Sequence, residues 1–292
     1  MRDAFVAATT KLLEEDSRTV VVLAEISTAL FADASDRFPG RVVNVGIREQ
    51  LMVGVAAGFA LAGYIPIVHT YAPFLVERAF EQLKLDFGHQ GLAGVFVSVG
   101  ASRDAAAAGR THQAPEDVAL ITSLPGWTVS VPGHAEEVGP ILTSAVRSKA
   151  PWYIRLSEQH NSRPYETGPT GWSVVHAGDG DRPTIVAVGP MIDLVLEALG
   201  DARVTVVASN RPVPVDEDLL RAEVGESVFV VEPYLEGSTL SHLARVLGDT
   251  PRRYTAVGFP REETRHYGTL EDHLRDAGLD VAGLRSRLGG IV

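Results

Sequence analysis

The sequence contains no cysteine. That excludes disulfides, thiolate metal sites and cysteine nucleophiles, and it fits a cytoplasmic protein. No apolar run is long enough to span a bilayer. Met1-Arg2-Asp3-Ala4-Phe5 places an acidic residue at once and does not read as a secretory leader. Positive charge is in deficit, 26 Lys and Arg against 37 Asp and Glu, for a net charge of −11. This balance argues against nucleic acid or an anionic membrane as partner, though a local cationic pocket remains open to a small anion. Neither G-x-x-x-x-G-K-[ST] nor G-x-G-x-x-G occurs. His89, His134, His176, His242, His266 and His273 show no metal-ligand spacing.

What is present is a chain of 292 residues, 45% hydrophobic, long enough for about two domains. β-branched runs at 19–23, 41–45, 66–68, 95–99, 128–131 and 152–156 read as strands. Helical spacing separates them at 3–15, 51–63, 77–88, 115–124 and 135–148. Between Glu158 and Arg182 the pattern breaks at Asn161, Pro164, Gly168, Pro169, Gly171, Gly178 and Gly180, which is turn chemistry. A second alternating unit follows, with strands at 184–188, 204–208 and 227–232 and helices at 194–199, 217–223 and 240–247, and Tyr267 to Leu274 opens a last helix. The expected fold is α/β, with two domains, each a mostly parallel sheet covered by helices. The expected division is 1–160, a linker at 161–182, and 183–292.

One stretch organises the first domain. Asn44-Val45-Gly46-Ile47-Arg48-Glu49-Gln50 opens an apolar segment reaching Gly63. That segment reads as a helix apolar on every face, hence a buried one. Glu49 then sits in its first turn, where the helix dipole favours a carboxylate. Composition alone makes it a helix-start residue and nothing more. Glu25 ends the first strand, at the carboxyl edge where open parallel sheets gather ligands. Tyr71, Phe74 and the loop residue His112, by themselves, read as core aromatics and a solvated histidine.

The order of three motifs changes that reading. Gly46-Ile47-Arg48-Glu49-Gln50 is followed by Thr70-Tyr71-Ala72-Pro73-Phe74 and then by Gly109-Arg110-Thr111-His112-Gln113. The set resembles the pyrimidine-binding half of transketolases, and most closely the C-terminal subunit of split transketolases. The resemblance runs over nearly the whole chain. It implies a pyrimidine-binding domain at 1–160 and a transketolase C-terminal-like domain at 183–292. It implies thiamine diphosphate as cofactor, whose own aminopyrimidine removes the reactive ring proton. A carboxylic acid beside the pyrimidine nitrogen promotes the tautomer that does so, and by resemblance that acid is Glu49. By the same resemblance Tyr71 and Phe74 flank the pyrimidine, where stacking adds roughly 0.5–1.5 kcal/mol beyond burial. Glu25 falls where the family usually has an Asp near the cofactor. His112 sits in the loop that faces the reacting carbon and donates to its oxygen. His69, just before Tyr71, is a weaker candidate for the same cleft.

Departures from the family pattern bear on the substrate. Ala108 stands where an acidic residue usually reads a substrate hydroxyl. Gly100 stands where a strand-end His is usual. Glu158, in Leu156-Ser157-Glu158-Gln159, replaces the Arg that grips a sugar phosphate. A carboxylate there repels phosphate, so an acceptor without a terminal phosphate, or one bound in another register, is expected unless Arg103, Arg110 or Arg155 compensates. Gly178-Asp179-Gly180 starts like the diphosphate–magnesium signature of thiamine enzymes, but Asp181-Arg182-Pro183 and a strand follow, so it reads as a turn.

In the family the diphosphate and its Mg2+ or Ca2+ are held by an N-terminal domain, and these residues do not include that domain. A separate N-terminal subunit is therefore implied, most simply in an α2β2 assembly. The leading expectation is transfer of a two-carbon ketol unit from a ketose to an aldehyde. Decarboxylative transfer from a 2-oxo acid, as in related synthases and dehydrogenase E1 β subunits, is the neighbouring reading. A non-catalytic structural or regulatory subunit is the third, with Glu49 against it and Ala108 and Glu158 leaving it open.

Overall fold

The computed structural model describes residues 1–179 and 183–289. Gly180, and with it the end of the Gly-Asp-Gly turn and of the connecting segment at Asp181 and Arg182, lies outside the described residues. Six strands form the first sheet: β1 (Thr19–Leu23), β2 (Val42–Asn44), β3 (Ile65–Tyr71), β4 (Val95–Val99), β5 (Thr128–Ser130) and β6 (Trp152–Arg155). Their order is β2-β1-β3-β4-β6-β5, all parallel. β1 and β4 are apolar and buried along their whole length, as strands covered on both faces must be. The second sheet contains β7 (Trp172–His176), β8 (Thr184–Val188), β9 (Thr205–Ser209), β10 (Ser227–Leu235) and β11 (Arg253–Phe259), in the order β11-β10-β8-β9-β7. Only β7 is antiparallel, against β9. The α/β class and the two mostly parallel sheets are as the alternating pattern implied.

Several details differ. Trp172–His176, read as part of a connecting segment, is the edge strand β7, which starts directly after the turn at Gly171. The helix expected to start at Glu77 starts before Phe74, and it runs through π-helical turns at Pro73–Arg78 and Leu83–His89. The Glu49–Leu61 helix is not buried all round. Met52, Val53, Ala56 and Ala57 face the core, whereas Leu51 is 46% and Leu61 65% exposed, with Ile47 beside them at 71%. Periodicity records that a face is apolar; it does not record that the face has no cover within its own chain.

A buried polar knot joins the two sheets. Arg155, fully buried, donates from Nε to Asp117 Oδ2 at 2.8 Å and from Nη2 to the carbonyl of Pro233 at 3.2 Å. Tyr153 donates to the same Asp117 oxygen at 2.7 Å. The open edge of β5 is closed by backbone bonds from Val129 to Val213 and from Val131 to Asn210, both 2.8 Å. One apolar core runs through both sheets, from Val22 and Phe96 to Val186 and Val230. No helix among the described residues is long and apolar enough to cross a membrane.

Candidate active site

The site lies at the carboxyl edge of the first sheet, where β1, β3 and β4 end. Just past β1, Glu25 and Ser27 adopt left-handed backbone, with φ of 68° and 66°. Non-glycine residues held this way cost of order 1–2 kcal/mol each, and such strain concentrates at ligand sites. Asn44 holds the turn in place. Its Oδ1 accepts from the backbone N–H of Glu25 and of Gly46, and its Nδ2 donates to Glu25 Oε2, all at 3.0 Å. Glu25 thus belongs to the turn that opens the site. Its carboxylate is occupied by Asn44, and no contact joins it to the aromatic group described next among the described residues.

Glu49 is the first residue of its helix and only 1% exposed. Its Oε2 accepts from Arg78 Nη1 at 2.8 Å. The Arg78 guanidinium also lies over the Phe74 ring, 4.2 Å from its centre. Phe74 meets His112 edge to face at 5.1 Å, and Tyr71 meets His112 at 5.7 Å and Phe74 at 6.1 Å. The chain therefore brings Glu49, Tyr71, Phe74 and His112 together through Arg78, a residue the motif reading passed over. Its place four residues after Phe74, on the same helical face, was the available signal.

The loop after β4 fits around these rings. Gly100 has φ +68°, and a Cβ built there would stand 2.3 Å from the Tyr71 ring. The glycine at the usual histidine position is thus explained: Tyr71 fills the space a side chain would need. Two short 3₁₀ turns, Ala106–Ala108 and Arg110–His112, flank Gly109 (φ +72°) and present His112. Thr111 Oγ1 lies 2.9 Å from His112 Nδ1, leaving Nε2 for a further partner.

A cavity of about 510 Å³ opens beside Tyr71 and Gly100, lined also by Arg2, Asp104, His134, Glu158 and His160. A second, of about 600 Å³, shares Asp104, Glu158 and His160 and continues toward Gly268 and Glu271. The arginines expected to offset Glu158 are occupied elsewhere. Arg155 is spent on Asp117. Arg110 is bound by Glu116 at 2.8 Å, by Glu263 at 3.3 Å and by the Gln113 carbonyl at 2.7 Å. Arg103 is 5% exposed and packs over Phe259. The arginine that does line the cavity is Arg2. His69 is fully buried. Its Nδ1 donates to the Val97 carbonyl at 2.8 Å, so its Nε2 accepts from the Ser27 hydroxyl, 2.8 Å away. Arg2 Nε in turn donates to that hydroxyl at 2.9 Å. Burial, partly offset by the Val97 carbonyl, pushes His69 down to about 4, so the ring is neutral.

A family profile, that of the transketolase pyrimidine-binding domain, matches residues 1–163. The chain belongs to the transketolase family. Among its relatives is an uncharacterized 33.6 kDa protein of the fasciation locus of Rhodococcoides fascians, 41% identical over 100% of this chain and 95% of the relative. One of the subunits of the apulose-4-phosphate transketolase of Actinobacillus succinogenes is 28% identical, covering 89% of this chain and 91% of the relative. 1-Deoxy-D-xylulose-5-phosphate synthase of Synechococcus is 30% identical over 97% of this chain, which spans only 46% of that enzyme. Among solved structures, a split-gene transketolase described as an inactive β4 tetramer superposes with a TM-score of 0.87 at 29% identity, over 99% of this chain and 97% of that one. This transketolase-family chain thus resembles subunits of its own length and also spans about half the length of longer enzymes.

Proposed function

We propose that this chain is the pyrimidine-binding subunit of a two-chain, thiamine-diphosphate-dependent enzyme that moves a two-carbon ketol unit from a ketose to an aldehyde. The observation that supports it best is the buried Glu49 carboxylate at a helix mouth, within one arginine of the Tyr71–Phe74–His112 group. The donor set fits an aminopyrimidine. Glu49 Oε1 has no hydrogen-bond partner among the described residues, and the aromatic rings supply apolar faces beside it. In this reading residues 1–160 bind the pyrimidine, and residues 183–292, with the β7 strand from the connecting segment, serve assembly.

Thiamine diphosphate, when bound, supplies the carbanion chemistry that breaks and makes the carbon–carbon bond. The chain's own residues do the rest. Glu49 shares a proton with the pyrimidine ring nitrogen. Tyr71 and Phe74 would supply apolar surface against the pyrimidine and exclude water from it. His112 Nε2 donates to the substrate oxygen as charge develops there. Arg2 and Glu158 set opposite charges on one cavity wall, so the wall lacks the surplus of cations that a phosphate clamp uses. The acceptor is accordingly an unphosphorylated aldehyde, and a strong preference for sugar phosphates would refute that part.

No group of three or more metal-ligating side chains occurs among the described residues. A partner subunit of N-terminal transketolase type then holds the diphosphate with Mg2+ or Ca2+. Ile47 and Leu51, exposed next to Glu49, provide an apolar face for it, and two-fold pairing gives α2β2. The β4 tetramer of the split-gene relative, described as inactive, is consistent with a chain that needs its partner. The location proposed is the cytoplasm. Coexpression with an N-terminal transketolase-type subunit, followed by turnover of a ketose with glycolaldehyde, tests the reading. A second reading, decarboxylation of a 2-oxo acid, is favoured by the deoxyxylulose-phosphate synthase relatives. Pyruvate in the donor screen separates the two.

A further inference from the structure

Gly109 separates the two short turns of the loop that carries His112, and the His112 N–H donates to its carbonyl at 3.0 Å. A glycine swings between left-handed and right-handed backbone at little cost, so an uncovered Gly109 would let His112 swing with it. It is covered from the second domain. A Cβ built on Gly109 would stand 2.7 Å from the ring of Tyr267. Tyr267 lies in the stretch 260–269, which has neither helix nor strand and joins β11 to the helix Leu270–Asp276. Side chains fix that stretch on both sides of Tyr267. His266 Nε2 is 2.9 Å from Asp276 Oδ2, and its ring stacks on the buried His273 with centres 4.7 Å apart. Thr269 and Asp272 close a capping box at the helix start. Upstream, Phe259 is buried under the guanidinium of Arg103, itself part of the loop after β4. Glu263 Oε1 reaches Arg110 Nε at 3.3 Å, but both side chains are exposed, so that pair contributes little by itself. The ring over Gly109 is therefore the contact that bears on His112. Tyr267 is 68% exposed, which sets it apart from a core aromatic.

We infer that Tyr267 is a positioning residue: its ring, lying over Gly109, holds the loop so that His112 faces the substrate oxygen in one fixed orientation. The second domain then takes part in the chemistry as well as in assembly. A donor stabilises developing charge best when it is aimed before the charge appears. Tyr267 acts through the loop and touches no reacting atom. What His112 does rests on the ketol-transfer reading; the hold of Tyr267 on the loop does not.

The test has two arms. In the subunit pair, kcat and KM for a ketose with glycolaldehyde are measured for the native chain, Tyr267→Ala, Tyr267→Phe, His112→Ala and the double variant Tyr267→Ala with His112→Ala. Tyr267→Ala should lower kcat about tenfold, less than outright loss of a donor, with KM nearly unchanged. Tyr267→Phe keeps the ring and should keep the native kcat. With His112 already gone, Tyr267→Ala should cost almost nothing further, because the two act as a unit. An unchanged kcat in Tyr267→Ala, or its full loss repeated without His112, overturns the proposal. The second arm needs no turnover. The N–H groups of Ala108, Gly109, His112 and Gln113 donate to carbonyls within the loop at 3.0 to 3.2 Å, so hydrogen exchange on the full chain reports how firmly it is held. Tyr267→Ala should speed their exchange about tenfold and leave β4 and the helix Leu270–Asp276 as they were. Unchanged exchange in the loop, or equal acceleration in that helix, overturns the proposal. If the native pair turns over no ketose, the ketol-transfer reading alone fails, and the exchange arm decides the role of Tyr267.

Discussion

Arg78 donates a 2.8 Å hydrogen bond to the buried carboxylate of Glu49 while its guanidinium lies 4.2 Å from the centre of the Phe74 ring. One side chain thus couples the acid to the aromatic group that is expected to flank the cofactor. Replacing Glu49 with Gln keeps the volume and removes the proton exchange. The expected outcome in the assembled pair is a fall in kcat of at least ~100-fold, the scale of a lost acid–base group, with the melting temperature nearly unchanged. Full turnover in Glu49→Gln sinks the mechanism.

Arg78→Ala has a different signature. It leaves a carboxylate, 1% exposed, without its cation. A fully buried pair broken in this way costs about 3–5 kcal/mol. The Arg78 side chain is 40% exposed, so solvent screening reduces the expected loss to about 1–2 kcal/mol. Urea unfolding reads it directly. Because Phe74 loses its cation at the same time, weaker cofactor binding should accompany the loss, and thiamine diphosphate titration of the pair measures that.

Gly100→Ala should disturb the site without touching any charged group. The new methyl would stand 2.3 Å from the Tyr71 ring at a φ of +68°. Left-handed strain of roughly 1–2 kcal/mol adds to overpacking of roughly 1–3 kcal/mol. A double variant with Tyr71→Ala relieves the overpacking and leaves the strain. The two substitutions should therefore be strongly non-additive in chemical denaturation. Additive losses would show that Tyr71 and Gly100 do not compete for one space.

The first sheet was legible because β-branched runs such as Val20–Leu23 and Val95–Val99 are buried on both faces and look alike wherever they occur. The ordered motifs singled out Glu49, Tyr71, Phe74 and His112 through the family resemblance, since Phe74 and His112 carried no signal in the strand and helix pattern alone. Arg78, Asp104 and Arg2 were not legible. Each gains its surroundings from a contact across the fold, to Glu49, to the Glu158 backbone and to Ser27 respectively. Arg155 shows the converse. As a sequence feature it was a free cation beside a substrate segment, and only the fold reveals Asp117 and Tyr153 waiting for it. Strand β7 was hidden because it has only five residues and lies between Gly171 and Gly178, in a stretch whose glycines and prolines read as turn chemistry.

The Asp117–Arg155 pair yields a stability prediction. Both side chains are essentially inaccessible, at 0% and 1%. Asp117→Ala would leave a buried guanidinium uncompensated and strip Tyr153 of its acceptor, for a loss of about 3–5 kcal/mol. Asp117→Ala combined with Arg155→Met removes the stranded charge and should recover part of that loss. A double variant no more stable than Asp117→Ala in urea unfolding would rule out the charge as the cause.

Glu232 supplies the last prediction, in pH. It is fully buried, and although its oxygens accept from the N–H groups of Gly237 and Thr239, burial pushes it up to about 7. In the unfolded chain it ionises near its ordinary 4.5. Between those values the native state holds the extra proton. The stability it contributes is therefore complete below about pH 4.5, declines as pH rises, and is gone above about 7. One proton is worth about 1.4 kcal/mol per pH unit. His69 works in the opposite sense, because burial lowers it to about 4 from 6.5, so its contribution is present above 6.5 and lost on acidification. Between pH 5 and 6.5 the two slopes largely cancel. Glu232→Gln removes one of them. The unfolding free energy of the variant minus that of the native chain should then increase with pH in this window, by up to ~1.4 kcal/mol per unit, whatever the slopes of the other shifted groups. Above pH 8 the two curves should run parallel, offset by whatever the amide costs against Gly237 and Thr239. Parallel curves across the whole range would mean that Glu232 is already ionised at pH 5, and that its two N–H donors outweigh its burial.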